Sequence, residues 1–417
     1  MNPVATLRRR RTLLKSQWLD EDAIRALQTA KLRRIVDYAY SHVAHYRRLF
    51  DSVGFQPRHI SSIRDLRHVP ITTKQELQRL PPEDRIGNDL DLRTLVQERT
   101  SGSTGEPFTS YFDRSFVTTR NGLFLRALHV AGYRPGQKLM LVTADTGRSR
   151  PYLRWRYASI ESSAEELVSQ LDSFRPSVLY GCTTPLRMMA EFARESGRSF
   201  HRPGVVVCTA ETLDATTRTL LRDVFNADVF DIYGLTETGL IAWECGAHDG
   251  YHLSEDTAIV ELHEDPEHDA EQLIVTNLAL KSMPMIRFQT GDLATMVMER
   301  DCQCGRTLRR IRHIAGRMVD CLKPKNNRVV TPYEVTLAME AVPGLDRYQV
   351  VQTDADRFVV RIETRHSSQS DLEPDVRRAL SPLLGDDSRL SIALEASIAP
   401  PPGKKFRVVA NSNHGKS

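Results

Sequence analysis

The sequence predicts an α/β protein: a large N-terminal domain that combines parallel and antiparallel sheets with helices, then a small α+β C-terminal domain. Three observations predict it. Between Lys138 and Ile232 short apolar runs alternate with helical patterns. After Tyr251 strand patterns succeed one another with no helix between them. Past Asp320 a shorter series of strand, helix, hairpin, helix and strand begins. At 417 residues the chain also exceeds what one hydrophobic core usually supports, so two domains are expected, at 1–319 and 320–417.

Each element has its own signal. Leu32, Ile35, Val36, Ala39, Val43 and Tyr46 recur at helical spacing and predict one amphipathic helix ending before Gly54, its stripe facing the core. The segment from Pro57 to Pro82 is punctuated by proline and polar residues and reads as irregular connections. Leu139–Val142, Val178–Tyr180, Val205–Cys208 and Val229–Ile232 read as buried strands, with helices at Leu186–Ala193 and Leu213–Phe225 in the last two gaps. That alternation predicts a parallel sheet with crossover helices, whose ligands bind in loops after the strand carboxyl ends. Ala258–Leu262, Leu273–Thr276, Met285–Phe288 and Leu293–Val297 predict an antiparallel subdomain. Beyond Asp320 come a strand at Val329–Val330, a helix over Tyr333–Ala341 stopped near Pro343-Gly344, and a hairpin of Tyr348–Thr353 and Arg357–Ile362. Helix Leu372–Leu384 and strand Leu390–Leu394 complete the small domain.

Composition excludes several classes of function. The chain is 40% hydrophobic and 26% charged, as a water-soluble domain is, and no apolar run is long enough to span a bilayer. Arg8 to Arg11 is followed by no apolar stretch, so no signal peptide is read and a cytoplasmic protein is expected. The net charge is +4 with scattered basic residues, which gives no reason to expect a nucleic-acid partner, and Arg8–Arg11 reads as a solvated terminus.

Six cysteines in a chain of this kind do not read as a disulfide framework. Cys182 and Cys208 flank apolar runs and read as small buried hydrophobes. Cys302-Gln303-Cys304 is a tight pair, and Cys245 and His252 lie upstream. Three thiolates and one imidazole make a closed tetrahedral zinc set, with His248 competing with His252 for the fourth place. Thr100-Ser101-Gly102-Ser103-Thr104-Gly105-Glu106-Pro107 is a different kind of motif. Glycines let a backbone approach an anion closely, and hydroxyls with consecutive N–H groups can cradle phosphates. Taken alone, such a cluster is more often a flexible turn. It lacks the lysine of a Walker loop, and no kinase signature is present.

Further motifs follow that loop in order: Tyr233-Gly234-Leu235-Thr236-Glu237-Thr238, Thr290-Gly291-Asp292-Leu293, Gly316-Arg317 and Gly403-Lys404-Lys405-Phe406-Arg407. This ordered set resembles the adenylate-forming superfamily of acyl-CoA synthetases, peptide-synthetase adenylation domains and luciferases. The N-terminal helix, Pro70-Ile71-Thr72-Thr73-Lys74 and the Pro284–Asp292 stretch are similar to its phenylacetate–CoA ligase and CapK branch, so the resemblance covers nearly the whole chain. It implies ATP-dependent activation of a small carboxylic acid, an aryl acid among the candidates, with release of pyrophosphate.

The resemblance also implies roles. Ser101, Gly102, Ser103, Thr104 and Gly105 would hold the β- and γ-phosphates of ATP. Tyr233, followed by Gly234, would stack on adenine, with Ala210 and Glu211 as the other wall. Thr236 would bond the α-phosphate and Glu237 would ligate Mg²⁺, a hard cation that prefers carboxylate oxygen. Asp292 would accept from the ribose hydroxyls, and Arg317 would support ribose or phosphate. A mobile C-terminal domain would carry the catalytic lysine, Lys405 in a Lys-Phe-Arg register or Lys404 in a Gly-Lys-x-x-Arg register. Members of the branch with a cysteine-rich structural site add weight to zinc. The acceptor would be CoA, a carrier-protein pantetheine or an amine.

Two departures qualify that picture. Val319 stands where the family has a hinge aspartate, and Lys325-Asn326-Asn327-Arg328 replaces a glycine turn that lines the pantetheine tunnel. Both bear on transfer more than on adenylation. They also motivate the alternative of a catalytically impaired nucleotide-binding scaffold.

Overall fold

The computed structural model of the chain describes residues 3–99, 108–144, 153–265, 268–325, 328–345, 347–364, 369–385, 387–396, 398 and 406–411, with backbone alone at 265, 268–270, 369 and 370. Five helices open it: α1 (Pro3–Ser16), α2 (Glu21–His42), α3 (Ala44–Ser52), α4 (Lys74–Arg79) and α5 (Pro82–Arg85). A short ribbon of β1 (Val96–Arg99) and β2 (Thr109–Phe112) precedes α6 (Arg114–Val130). Then come β3 (Leu139–Thr143), β4 (Trp155–Ser159), α7 (Ala164–Phe174), β5 (Val178–Cys182), α8 (Thr183–Ser196), β6 (Val205–Thr209), α9 (Ala215–Phe225) and β7 (Asp228–Leu235). A strand-only stretch follows: β8 (Gly239–Glu244), β9 (Tyr251–Leu253), β10 (Ala258–Asp265), β11 (His268–Asn277), β12 (Phe288–Val297) and β13 (Arg310–Arg317). The last part holds α10 (Pro332–Glu340), β14 (Arg347–Asp354), β15 (Arg357–Glu363), α11 (Gln369–Leu384), β16 (Arg389–Leu394) and β17 (Val409–Asn411).

The apolar runs are continuous because both faces of their sheet are covered. Met140 and Val142 of β3 pack with Leu186 and Met189 of α8 and Phe225 of α9, whereas Leu139 and Leu141 pack on the other face with Ala127 and Leu128 of α6. Side chains alternate along a strand, so two covered faces leave no polar positions in the run. Strands β4, β3, β5, β6 and β7 are parallel neighbours in that order. From β7 the sheet continues antiparallel through β8, β9, β13, β12, β11 and β10, giving 11 strands in one sheet. The expected antiparallel subdomain is therefore an extension of the parallel sheet, joined to it by the β7–β8 hairpin.

Other expectations need correction. The long N-terminal helix breaks at Val43, whose backbone is extended at φ −114° and ψ 110°. The carbonyl of His42 accepts from the Asn88 N–H, and the new direction of α3 lets the Tyr46 hydroxyl donate to the Pro284 carbonyl at 2.9 Å. Met285–Phe288 is no strand: Arg287 sits at φ 45° and β12 begins only at Phe288. Val329–Val330 forms a single bridge, Leu322 to Val330. The segment from Pro57 to Pro82 holds short helical turns and α4, its N-terminus closed by a capping box of Thr73 and Glu76. Strands β1, β2, β4, β8, β9, β13 and β17 and helices α1, α6 and α7 have no counterpart in the sequence reading.

The second sheet runs β16-β15-β14-β17 and has its own core, in which Val350, Phe358, Val360 and Ile362 meet Val335 and Met339 of α10 and Val376 and Leu380 of α11. It follows β13 through a tight turn at Met318–Asp320. At that junction the His313 ring stacks on Tyr333 of α10, centroids 3.8 Å apart. Gly316, at φ 110°, lies where any Cβ would come within 2.6 Å of Pro332. The buried Arg126 pairs with Asp256 at 2.7 Å, and Ser16 donates to the same carboxylate, tying α1 and α6 to the loop before β10. Among the described residues no helix is long and apolar enough to cross a membrane.

Candidate functional site

The carboxyl ends of β6 and β7 lie side by side, with Thr209 opposite Ile232. The chain leaves β6 through Ala210 at φ 70°, a conformation that costs an L-residue about 1–3 kcal/mol and that persists only where surroundings impose it. The Glu211 carboxylate accepts the Thr184 N–H at 2.7 Å, which anchors this loop to the start of α8. The Glu211 charge thus satisfies a helix end. At the end of β7, Gly234 crosses so close to β8 that a Cβ would lie 2.7 Å from the Gly239 carbonyl oxygen. Glycine at this point permits a tight hairpin, and its tip carries Thr236, half-buried, and Glu237, only 5% exposed.

Asp292 of β12 pairs in register with Arg317 of β13. The Tyr233 hydroxyl donates to Asp292 Oδ2 at 2.5 Å, and Arg317 Nε lies 3.7 Å from Oδ1. Thr290 Oγ1 accepts the Asp292 N–H at 3.1 Å and fixes the carboxylate's approach. Burial, reinforced by the Asp292 charge, pushes the Tyr233 phenol well above its ordinary value, so it stays a donor at every working pH. Three motifs far apart in sequence therefore converge on one corner: an aromatic ring, a carboxylate and a guanidinium beside strained backbone. Such a corner suits a planar base and a vicinal diol.

Glu237 has a partner that the sequence reading did not assign. The Lys74 ammonium lies 2.8 Å from Glu237 Oε1. It also sits 5.6 Å from the centre of the Phe108 ring, where Phe108 is the first described residue after the Ser/Thr/Gly loop. The buried Arg85 guanidinium lies over the same ring at 5.0 Å. The signal for Lys74 was present in Pro70–Lys74, a segment matched to the branch but given no role. The loop itself, with Ser101, Gly102, Ser103, Thr104 and Gly105, lies outside the described residues, as do Asn326, Asn327, Lys404 and Lys405.

A second cluster stands apart from this corner. Cys245 at the end of β8, His252 on β9 and Cys302 and Cys304 in the β12–β13 connection bring their ligand atoms within 4.8 Å of one another. The Sγ atoms of Cys245 and Cys302 are 3.7 Å apart, and Cys304 Sγ is 3.3 Å from His252 Nε2. A tetrahedral centre with metal–sulfur bonds of about 2.3 Å places its sulfurs about 3.8 Å apart, which matches the Cys245–Cys302 separation. Burial, with Arg306 and Arg310 nearby, lowers the His252 imidazole to about 3, which leaves it in the neutral form a ligand requires. His248 lies elsewhere, with Nε2 3.1 Å from Asp228.

Comparison with known proteins bears on these groups. No protein-family model matches the chain. The phenylacetate-coenzyme A ligase of Thermus thermophilus is 29% identical over 354 residues, which span 80% of this chain and 79% of that protein. Protein CapK of Staphylococcus aureus is 20% identical over 411 residues, 93% of this chain and 89% of that one. Among solved structures, a 2-hydroxyisobutyryl-CoA ligase bound to an acyl-AMP shares the fold with a TM-score of 0.80 over 95% of this chain and 91% of its own, at 22% identity.

Proposed function

We infer that this chain, a member of the phenylacetate–CoA ligase and CapK branch of the adenylate-forming superfamily, activates a small carboxylic acid with ATP and then passes the acyl group to a thiol. The observation that carries the reading is the Tyr233–Asp292–Arg317 corner beside the carboxyl ends of β6 and β7. There Tyr233 would stack on adenine against the Ala210–Glu211 loop, and Asp292 would take the ribose hydroxyls with Arg317 alongside. The loop from Ser101 to Gly105 would hold the β- and γ-phosphates, and Thr236 the α-phosphate. Glu237 offers one buried carboxylate, which suits Mg²⁺, an ion commonly bound by one or two carboxylates plus substrate phosphates. The ion would neutralise charge on the triphosphate. The acid's carboxylate attacks the α-phosphorus, the bond to the bridging oxygen breaks and pyrophosphate leaves. Lys405, or Lys404, would meet the developing charge from a domain spanning 320–417 that moves against 1–319. Carboxylate-dependent exchange of labelled pyrophosphate into ATP is the test. Exchange with at least one acid of a broad panel is expected, and ATP binding without exchange for any of them would overturn the reading.

The Cys245, His252, Cys302 and Cys304 set would hold a structural Zn²⁺ that pins the β12–β13 connection to the β8–β9 hairpin. For the acceptor, relatives named for coenzyme A favour the CoA thiol, with carrier-protein pantetheine or an amine as alternatives. Val319, 39% exposed in the turn after β13, would limit that step as the hinge between the two domains. A β-branched residue restricts its own backbone more than aspartate does, and Asn326-Asn327 is bulkier than the glycine turn it replaces. Adenylation is therefore expected to outpace transfer to free CoA. Val319→Asp combined with Asn326→Gly is expected to raise acyl-CoA production and leave pyrophosphate exchange unchanged. Equal rates of adenylation and acyl-CoA formation in the unaltered protein would count against it.

A further inference from the structure

Lys74 occupies a position that local structure alone does not favour. It is the first residue of α4, where the positive end of the helix disfavours a cation, and the capping there is done by Thr73 and Glu76. Its position is nevertheless fixed. The preceding Thr72 is sewn to β12, its N–H donating to the Arg287 carbonyl at 2.9 Å and its carbonyl accepting from the Gln289 N–H at 2.9 Å. The same strand carries Asp292. Lys74 is thus held in register with the nucleotide corner, its ammonium between the Glu237 carboxylate and the ring that follows the phosphate loop. The two partners differ in exposure: the Glu237 side chain is 6% exposed and that of Lys74 33%. A carboxylate so buried needs a counter-charge at all times, whereas the lysine on its flexible stem keeps a path to solvent.

We propose that Lys74 is a tethered cation that neutralises Glu237 while the site is free of nucleotide and that Mg·ATP displaces onto the triphosphate. The inference rests on the adenylate-forming reading, and within it Lys74 becomes a phosphate-binding residue. An ion arriving with ATP takes over Glu237, and the ammonium released from the carboxylate meets the phosphate charge that came with it. The exchange keeps the pocket's charge balanced before and after binding. It also discourages the divalent ion from occupying Glu237 without its nucleotide.

Titration of Mn²⁺ into nucleotide-free protein and of ATP into protein held in EDTA tests both halves. Lys74→Met keeps the length of the side chain and removes its charge. Mn²⁺ is expected to bind this variant about tenfold more tightly than the unaltered protein, and ATP in EDTA about tenfold more weakly, the scale of one charged contact. Lys74→Arg is expected to restore both values toward those of the unaltered protein, which a loss of folding would not allow. If Lys74→Met does not fold, the neutral pair Lys74→Met with Glu237→Gln serves instead, and its ATP affinity in EDTA is expected to stay about tenfold low. Unchanged Mn²⁺ affinity in Lys74→Met, or unchanged ATP affinity in EDTA in either variant, overturns the proposal. Because the Mn²⁺ arm needs no nucleotide, it separates the two failures: tighter Mn²⁺ in Lys74→Met with no ATP binding by the unaltered protein would count against the adenylate-forming reading and against transfer to phosphate, while leaving the Glu237 competition standing.

Discussion

Changing Lys405 to alanine is expected to lower pyrophosphate exchange by about 10²- to 10³-fold, the scale lost with one preorganised charge-stabilising donor. Conversion of a preformed acyl-adenylate to thioester is expected to change little, because the lysine acts only while the phosphate is attacked. Lys404→Ala carries the loss instead if the other register holds. Phe406 and Arg407, the two residues after Lys405 in sequence, lie among the described residues. The Arg347 guanidinium lies 5.1 Å from the centre of the Phe406 ring, and Gln349 donates to the Arg407 carbonyl at 2.8 Å. Arg407 Nη1 pairs with Asp320 Oδ1 at 2.9 Å, next to Val319 in the turn after β13. In sequence both lysines thus directly precede a segment anchored to the second sheet and to the Met318–Asp320 turn. Should both single variants retain full exchange activity, the C-terminal assignment fails.

Loss of the cysteine cluster is expected to have the other large effect. Near one equivalent of zinc per chain should be found by elemental analysis, and Cys302→Ser or chelation should remove it together with several degrees of Tm or with solubility. The free energy of a structural zinc, about 10–16 kcal/mol in isolated fingers, acts on folding directly, so even a fraction of it is a large share of the stability margin of a typical domain. The loss would be local in origin, freeing the β12–β13 connection from the β8–β9 hairpin. Cys182→Ser lies outside the cluster, half-buried at the start of α8, and is expected to retain the metal. Metal-free protein of unchanged stability would remove the assignment.

Some of this molecule follows from the sequence without any tertiary information. The parallel strands at Leu139–Val142, Val178–Tyr180, Val205–Cys208 and Val229–Ile232 were legible because helices cover both faces of that sheet, which leaves unbroken apolar runs. Helices α8, α9, α10 and α11 and the β14–β15 hairpin were legible from local periodicity and turn residues. The glycine-bearing motifs were legible too, because Gly234 and Gly316 meet backbone or proline atoms too closely for any side chain, which fixes residue type at those positions. Packing between distant segments decided the rest. Val43 ends a helix whose periodicity runs straight through it, because Tyr46 must reach Pro284. Strand β17 is three residues long and exists because β14 offers it an edge. His252 joins the cysteines and His248 does not, since register in β9 and β13 brings His252 opposite Arg310. Lys74 and Glu237 stand far apart in the chain, and neither has a local reason to be charged. Their 2.8 Å contact arises only when Thr72 pairs with β12 and the β7–β8 hairpin folds Glu237 inward, since a charge pair of that kind is set by sheet topology and leaves no periodic trace in sequence.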